Sequence, residues 1–114
     1  MTLEAIENKV RLVVNDTQLP YRFTQFDIFG FIVGAVRHLR NINPSERYDP
    51  DTGLVSDTYP QSLEPDEEIR FEPRHEEAVI LYAAHKVYQL DMTDTVNLQI
   101  SENLKARAET LMQL

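Results

Sequence analysis

The sequence predicts an all-α fold, a small four-helix domain whose second and third helices are joined by a long, proline-rich acidic connection. Three observations predict it. Four stretches carry apolar residues at three- and four-residue spacing, the pattern of a helix with one covered face. Five of the six prolines fall between Pro44 and Pro73, where no helix can continue. The chain has 114 residues and no cysteine, which leaves room for one core and no disulfide framework. Residues 1–114 are therefore read as a single helical domain, with 43–72 as an extended loop or arm.

In the first helix Leu3, Ile6, Val10 and Val13 fall on one face, with Glu4, Glu7 and Lys9 on others, and the pattern ends near Asn15 and Asp16. The second starts at Thr24, whose hydroxyl can cap exposed amides while Asp27 stands three residues on, a capping box in its shorter Asp version. From there Ile28, Phe29, Ile32, Val36 and Leu39 form a stripe, and Phe31, Val33 and Ala35 make the middle apolar all round. A helix of that kind needs cover on several sides, so this is the expected central helix, or one buried by a neighbouring subunit.

Pro73 in a first turn, followed by Glu76 and Glu77 at the positive end of the dipole, starts the third helix. Its two apolar stripes, Ala78, Leu81, Ala84 and Tyr88 on one side and Val79, Ile80, Ala83, Val87 and Leu90 on the other, again ask for cover on two sides. Thr93 or Asp94 can cap the fourth helix, in which Ile100, Leu104, Ala108 and Leu111 form a single stripe opposite Glu102, Lys105 and Glu109. Within the connection, Leu54-Val55 and Ile69-Arg70-Phe71 are candidates to pair as a short β-hairpin arm.

The formal charge of −8 lies almost wholly in one place. Between Pro44 and Glu77 there are eleven acidic residues against three arginines, while the remainder carries eight of each sign. A protein that grips phosphates would show the opposite balance, so specific binding of nucleic acid through a basic face is not expected. The apolar run around Phe29–Val36 falls far short of the ~20 residues needed to cross a bilayer, and no membrane span is read. The acidic amphipathic opening, Met1-Thr2-Leu3-Glu4, is unlike a signal peptide, and the lack of cysteine fits a reducing compartment.

Nothing in the sequence supports an enzyme or a cofactor. His75 and His85 stand ten residues apart on one helix and point different ways, and His38 has no nearby acid in sequence, so surface or cap histidines are expected and no metal site. Asp49-Pro50-Asp51-Thr52-Gly53 with Asp57 suggests a calcium loop but fails the EF-hand spacing at three positions, and an ordinary turn is the better account. Gly30 and Gly34 form a small-xxx-small pair that would admit another backbone closely, from this chain or another. Phosphate loops, nucleophile elbows and catalytic serine motifs are all missing.

The stretch Tyr21–Pro44, with Asn15-Asp16-Thr17 before it, resembles the head–tail adaptor (connector, or head completion) proteins of tailed bacteriophages. The residues that carry the likeness are Arg22-Phe23-Thr24, then Ile28-Phe29, Phe31-Ile32, Ala35, Arg37 and Leu39, then Asn43-Pro44. In the second half they are Arg74-His75-Glu76-Glu77-Ala78, opening a helix rich in alanine and tyrosine, and Asp91 and Asn97 around a turn into the last helix. Phe23 stands where that family often has tryptophan, and Val33-Gly34 where it often has a polar pair.

The resemblance implies a structural virion protein, located at the head–tail junction and in the host cytoplasm during assembly. It implies a homo-oligomeric ring, dodecameric in the virion, that docks on the portal protein and meets tail or stopper proteins, with DNA only passing through the lumen. The residues expected at partner interfaces are Gly30, Phe31 and Gly34 on the second helix, Arg47, Tyr48, Leu54, Asp57, Tyr59 and Arg70 in the connection, and Leu111 and Leu114 on the last helix. Two other readings use the same sequence: an acidic inhibitor that mimics phosphates towards a nucleic-acid-binding protein, and a helical regulatory interaction domain.

Overall fold

The computed structural model describes residues 1–49, 51–55, 58–90 and 95–114. It contains four α-helices: α1 (Leu3–Val13), α2 (Gln25–Ile42), α3 (Glu76–Gln89) and α4 (Thr95–Met112). Short 3-10 turns, Pro44–Arg47 and Pro73–His75, follow α2 and lead into α3.

The local signals explain where the helices begin and end. Thr2 caps α1 by accepting from the Ala5 N–H at 3.2 Å, and Thr24 caps α2 by accepting from the Asp27 N–H at the same distance. At its far end α1 stops where Asn15 turns into the left-handed region (φ 56°), a conformation that asparagine tolerates, and the Asp16 N–H reaches back to the Arg11 carbonyl. Pro73 opens the 3-10 turn that feeds α3. The cap proposed at Thr93 or Asp94 lies outside the described residues.

The centre of the molecule is α3 rather than α2. Ala78, Val79, Leu81, Tyr82, Ala83, Ala84, His85 and Val87 are all buried, because α3 packs against α1, α2 and α4 at once. Around it, Leu3, Ile6 and Val10 of α1 and Ile28, Phe29, Ile32, Val36 and Leu39 of α2 close one core with Ala108 and Met112 of α4. Fully burying a side chain such as Ile32 or Leu39 contributes about 1.5–3 kcal/mol. The stripe on α1 runs through Val14, and Val13 is exposed. On α4 it is turned from the expected line: Ser101, Ala108 and Met112 are buried, and Ile100, Leu104 and Leu111 only half-buried.

Two expectations are decided here. The cover that α2 and α3 ask for on several sides comes mostly from within the chain: their apolar residues share one core with α1, α4 and Ile69, and Phe31 and Ile80 lie half-buried against it. The two candidate strands of the arm do not meet. Val55 bridges Tyr48 and Glu68 bridges Thr2, both antiparallel and isolated, so among the described residues there is no sheet.

The connection is folded back onto the body instead. Leu3 N–H donates to the Glu67 carbonyl, Glu4 N–H to Pro65 and Ile69 N–H to Met1, which lays residues 65–69 along the start of α1 and sinks Ile69 into the core. This pairing with the N-terminus takes the hydrogen bonds that a hairpin with Leu54-Val55 would have needed.

Candidate functional site

Two buried polar clusters are built around histidines. The first joins the two ends of the connection: Glu46 and His75 are both fully buried, with His75 Nδ1 2.5 Å from Glu46 Oε1. The Glu72 N–H donates to the same carboxylate at 3.1 Å, and Asn43 Nδ2 lies 3.4 Å from His75 Nε2. One proton arrangement satisfies every atom: Nδ1–H donates to Glu46, and Nε2 accepts from Asn43, whose amide also donates to the Met112 carbonyl. Glu46, Glu72 and His75 bring three potential metal-ligand atoms within 4.8 Å of one another. The geometry answers to internal needs, however, since both ring nitrogens are engaged and the Glu72 carboxylate lies 2.6 Å from Arg74. These groups clamp the ends of α2, α3 and α4 together.

The second cluster is His85 with Ser101, both buried. Ser101 donates its hydroxyl proton to the His85 carbonyl at 3.0 Å, and His85 Nδ1 lies 2.8 Å from Ser101 Oγ, so the ring nitrogen facing the serine is the protonated one. That arrangement is wrong for a base that activates a nucleophile. Burial, aided by Lys86 and Lys105, pushes the His85 pKa down to about 4. His75 does stand at the N-cap position of α3, without a capping hydrogen bond from its side chain, but the expectation of surface histidines is corrected for both His75 and His85, which are buried. Their partners lie 29 and 16 residues away in sequence, beyond any local pattern.

A third buried network organises the approach to α2. The Arg11 guanidinium bonds Glu7 at 2.8–2.9 Å, Asp16 at 2.7 Å and the Phe23 carbonyl at 3.1 Å, and stacks over the Tyr21 ring. Asp16 accepts from the Arg22 and Phe23 N–H groups, and Gln25 from the first turn of α2 donates to Glu7. Charged groups this deep are tolerated only because each has partners.

The open feature of the molecule is one face of α2. Gly30 and Gly34 lie along it, and among the described residues no atom stands within 4 Å of where a Cβ on either would be. The close backbone approach that a small-xxx-small pair permits is therefore not made among the described residues. The two glycines form the shared floor of adjoining hollows. One is walled by Phe31, His38, Asn41, Tyr82 and Lys86, the other by Val33, Tyr59, Pro60 and Leu63, with Arg37 common to both.

Charge and aromatic contacts shape this trough. Arg37 lies over the Tyr59 ring at 4.7 Å and Lys86 near the Tyr82 ring at 5.8 Å, and neither has a carboxylate partner among the described residues. His38 stacks on Tyr82, with ring centroids 4.6 Å apart, and meets Glu109 through Nε2 at 3.2 Å. The Tyr82 pKa is raised by burial and then by Glu109. Phe26, two-thirds exposed on the same helix, extends the uncovered surface toward the α2 N-terminus.

The expected interface residues fall into three groups. Gly30, Phe31, Gly34 and Tyr59 line the trough. Tyr48 and Leu54 sit on a projecting turn, closed by Asp49 N–H to the Leu54 carbonyl and Gly53 N–H to the Asp49 carbonyl, with Gly53 at φ +70°. Arg70 fastens that turn through the Tyr48 and Glu46 carbonyls, and Arg47 bonds the Arg40 carbonyl and Asn41 Oδ1. Leu111 packs half-buried against the core and Leu114 is exposed, with neither lining the trough. Asp57 lies outside the described residues. Sequence reasoning missed Arg37, His38, Asn41, Tyr82 and Lys86 as walls of the trough. The spacing of His38 and Asn41 four and seven residues after Gly34 could have placed them beside it.

Much of the acidic segment is engaged within the chain. Glu46 meets His75, Glu68 the Met1 amino group, Glu72 Arg74, Glu76 Lys9 and Glu77 Arg107. Asp51, Glu64 and Asp66 remain exposed. Compared with protein-family models, curated proteins and solved structures, the chain matches none.

Proposed function

We propose that this protein is a structural component of a phage head–tail junction, joining the capsid portal to the tail as a ring of identical subunits. The observation that supports this reading is the trough on α2. A glycine inside a helix costs about 1 kcal/mol against alanine, and here two are placed where no described atom stands within 4 Å of an added Cβ. Their use lies with something outside the chain that must come close to the helix backbone, which is the demand an assembly protein makes. The residue pattern from Arg22 through Pro44 supports the same reading, and in the fold it lies on the capped entry and body of α2. The portal and a tail or stopper protein are the partners, and DNA passes through the lumen without specific contacts.

The internal pairing of five acids in the segment 44–77 leaves too few free acids on one rigid face to favour a phosphate mimic.

Velocity sedimentation of the purified chain, alone and with the portal protein from the same genome, tests the proposal. Assembly that grows with concentration, or that appears when portal is added, is the expected result. A monodisperse monomer that ignores portal overturns it.

A further inference from the structure

The exposed turn around Leu54 and the α2 trough both carry apolar surface and opposite charge, and no residue of the turn lines its own chain's trough. Tyr48, Leu54 and Val55 are 54%, 69% and 60% exposed, an apolar tip with Asp51 beside it. The glycine floor offers a concavity beside Phe31, Tyr59 and Tyr82, and its two cations, Arg37 and Lys86, have no carboxylate partner among the described residues. In a chain that carries 19 acidic and 11 basic side chains, cations left without acids mark a face that accepts negative charge from elsewhere.

We propose that the turn around Leu54 of one copy seats in the α2 trough of a second copy, with Leu54 and Val55 over Gly30 and Gly34 and Asp51 toward Arg37 and Lys86. This contact deepens the ring reading and rests on it for closure. The two surfaces are different patches of one chain, so the contact is heterologous: every subunit offers a turn to one neighbour and a trough to the other. A heterologous contact gives a closed ring when its rotation divides a full circle and a filament when it does not.

The turn is held ready for this role. Its two ends are bridged at Tyr48 and Val55, Arg70 grips the Tyr48 carbonyl at 2.9 Å, and Arg47 ties its base to Asn41 beside the trough. A turn whose ends are tied before contact gives up less freedom on docking, which favours association. A floor without side chains lets the tip approach the helix backbone.

Sedimentation of two variants and their mixture tests the contact. Gly34→Leu puts a side chain into the trough, its Cβ having no described atom within 4 Å, and Leu54→Asp removes the apolar tip. Wild-type protein at high micromolar concentration is expected to form species larger than a monomer, and each variant to associate about tenfold more weakly or worse, the loss of a hot-spot contact. Mixed in equal amounts, the two variants are expected to give a dimer and nothing larger, because one supplies an intact turn and the other an intact trough. Circular dichroism verifies that both fold, and if Gly34→Leu does not, Arg37→Glu replaces it in the same mixture.

A wild type that stays monomeric, variants that assemble like the wild type, or a mixture that stays monomeric would each overturn the turn-in-trough contact. Portal recruitment measured on the same samples separates the two proposals. Recruitment that survives in the variants leaves the ring reading standing without this contact, and its loss in the wild type ends both.

Discussion

His75 Nδ1 and Glu46 Oε1 lie 2.5 Å apart, with both side chains fully out of contact with solvent. The pair links the turn after α2 to the turn before α3, across the whole connection. Replacing His75 by alanine leaves a buried carboxylate with a single backbone N–H, and is expected to lower unfolding stability by about 3–5 kcal/mol. His75→Gln, whose amide can donate to Glu46, is expected to lose less. Urea midpoints of the two variants check the ranking.

Arg11 is the base paired with two buried acids, Glu7 and Asp16. Arg11→Met leaves both buried carboxylates without a counter-charge among the described residues, held only by Gln25 and the Arg22 and Phe23 amides, and is expected to lose about 3–5 kcal/mol. By contrast, Lys9 and Glu76 pair at the surface, and Lys9→Met is expected to change stability by less than about 1 kcal/mol. Denaturant titration of both variants side by side gives the comparison.

The same substitution, glycine to alanine, is expected to have opposite signs at two places. At Gly34, inside α2 with open space beside it, alanine is expected to raise stability by roughly 1 kcal/mol while weakening assembly. At Gly53, where φ is +70°, alanine meets the left-handed penalty of about 1–2 kcal/mol. Thermal unfolding of the two single variants reads both signs.

Acid should weaken the fold through His85. Its folded pKa is pushed down to about 4, against an ordinary value of 6.5, so between these values the unfolded chain binds the extra proton and the native state does not. The stabilisation that comes from keeping this ring neutral is complete above about pH 6.5 and declines as the pH falls toward 4. A ring resonance of His85 that stays in its neutral position from pH 7 down to 5, together with a falling unfolding midpoint over that range, is the expected NMR and calorimetric result.

The helices were legible because their signals are local. Thr24 and Asp27 define the start of α2 within four residues, and Asn15 marks the end of α1 by its own tolerance for a left-handed backbone. The long-range contacts were not legible, for an equally physical reason. Glu46 was read as one of many acids because nothing near it in sequence announces His75, and Ile69 looked like a strand residue because its true hydrogen-bond partner is Met1, at the other end of the fold. The glycines gave the opposite outcome: Gly30 and Gly34 were singled out on residue type, but only the fold could tell that the space beside them is empty. The acidic balance of 44–77 suggested free charge, and the structure pairs much of it with bases brought from α1, α4 and the N-terminus.

The carboxylate of Asp16 has one more consequence. It holds the Arg22 and Phe23 amides, at 2.9 and 3.2 Å, in a segment with no helix or strand of its own. In deuterium exchange those two positions should therefore be retained as long as helical amides are, making an irregular stretch look like an ordered element. A protease probing the region should find that its cleavable bonds lie in the 17–21 stretch just before them, and a cut there should leave the capped start of α2 intact.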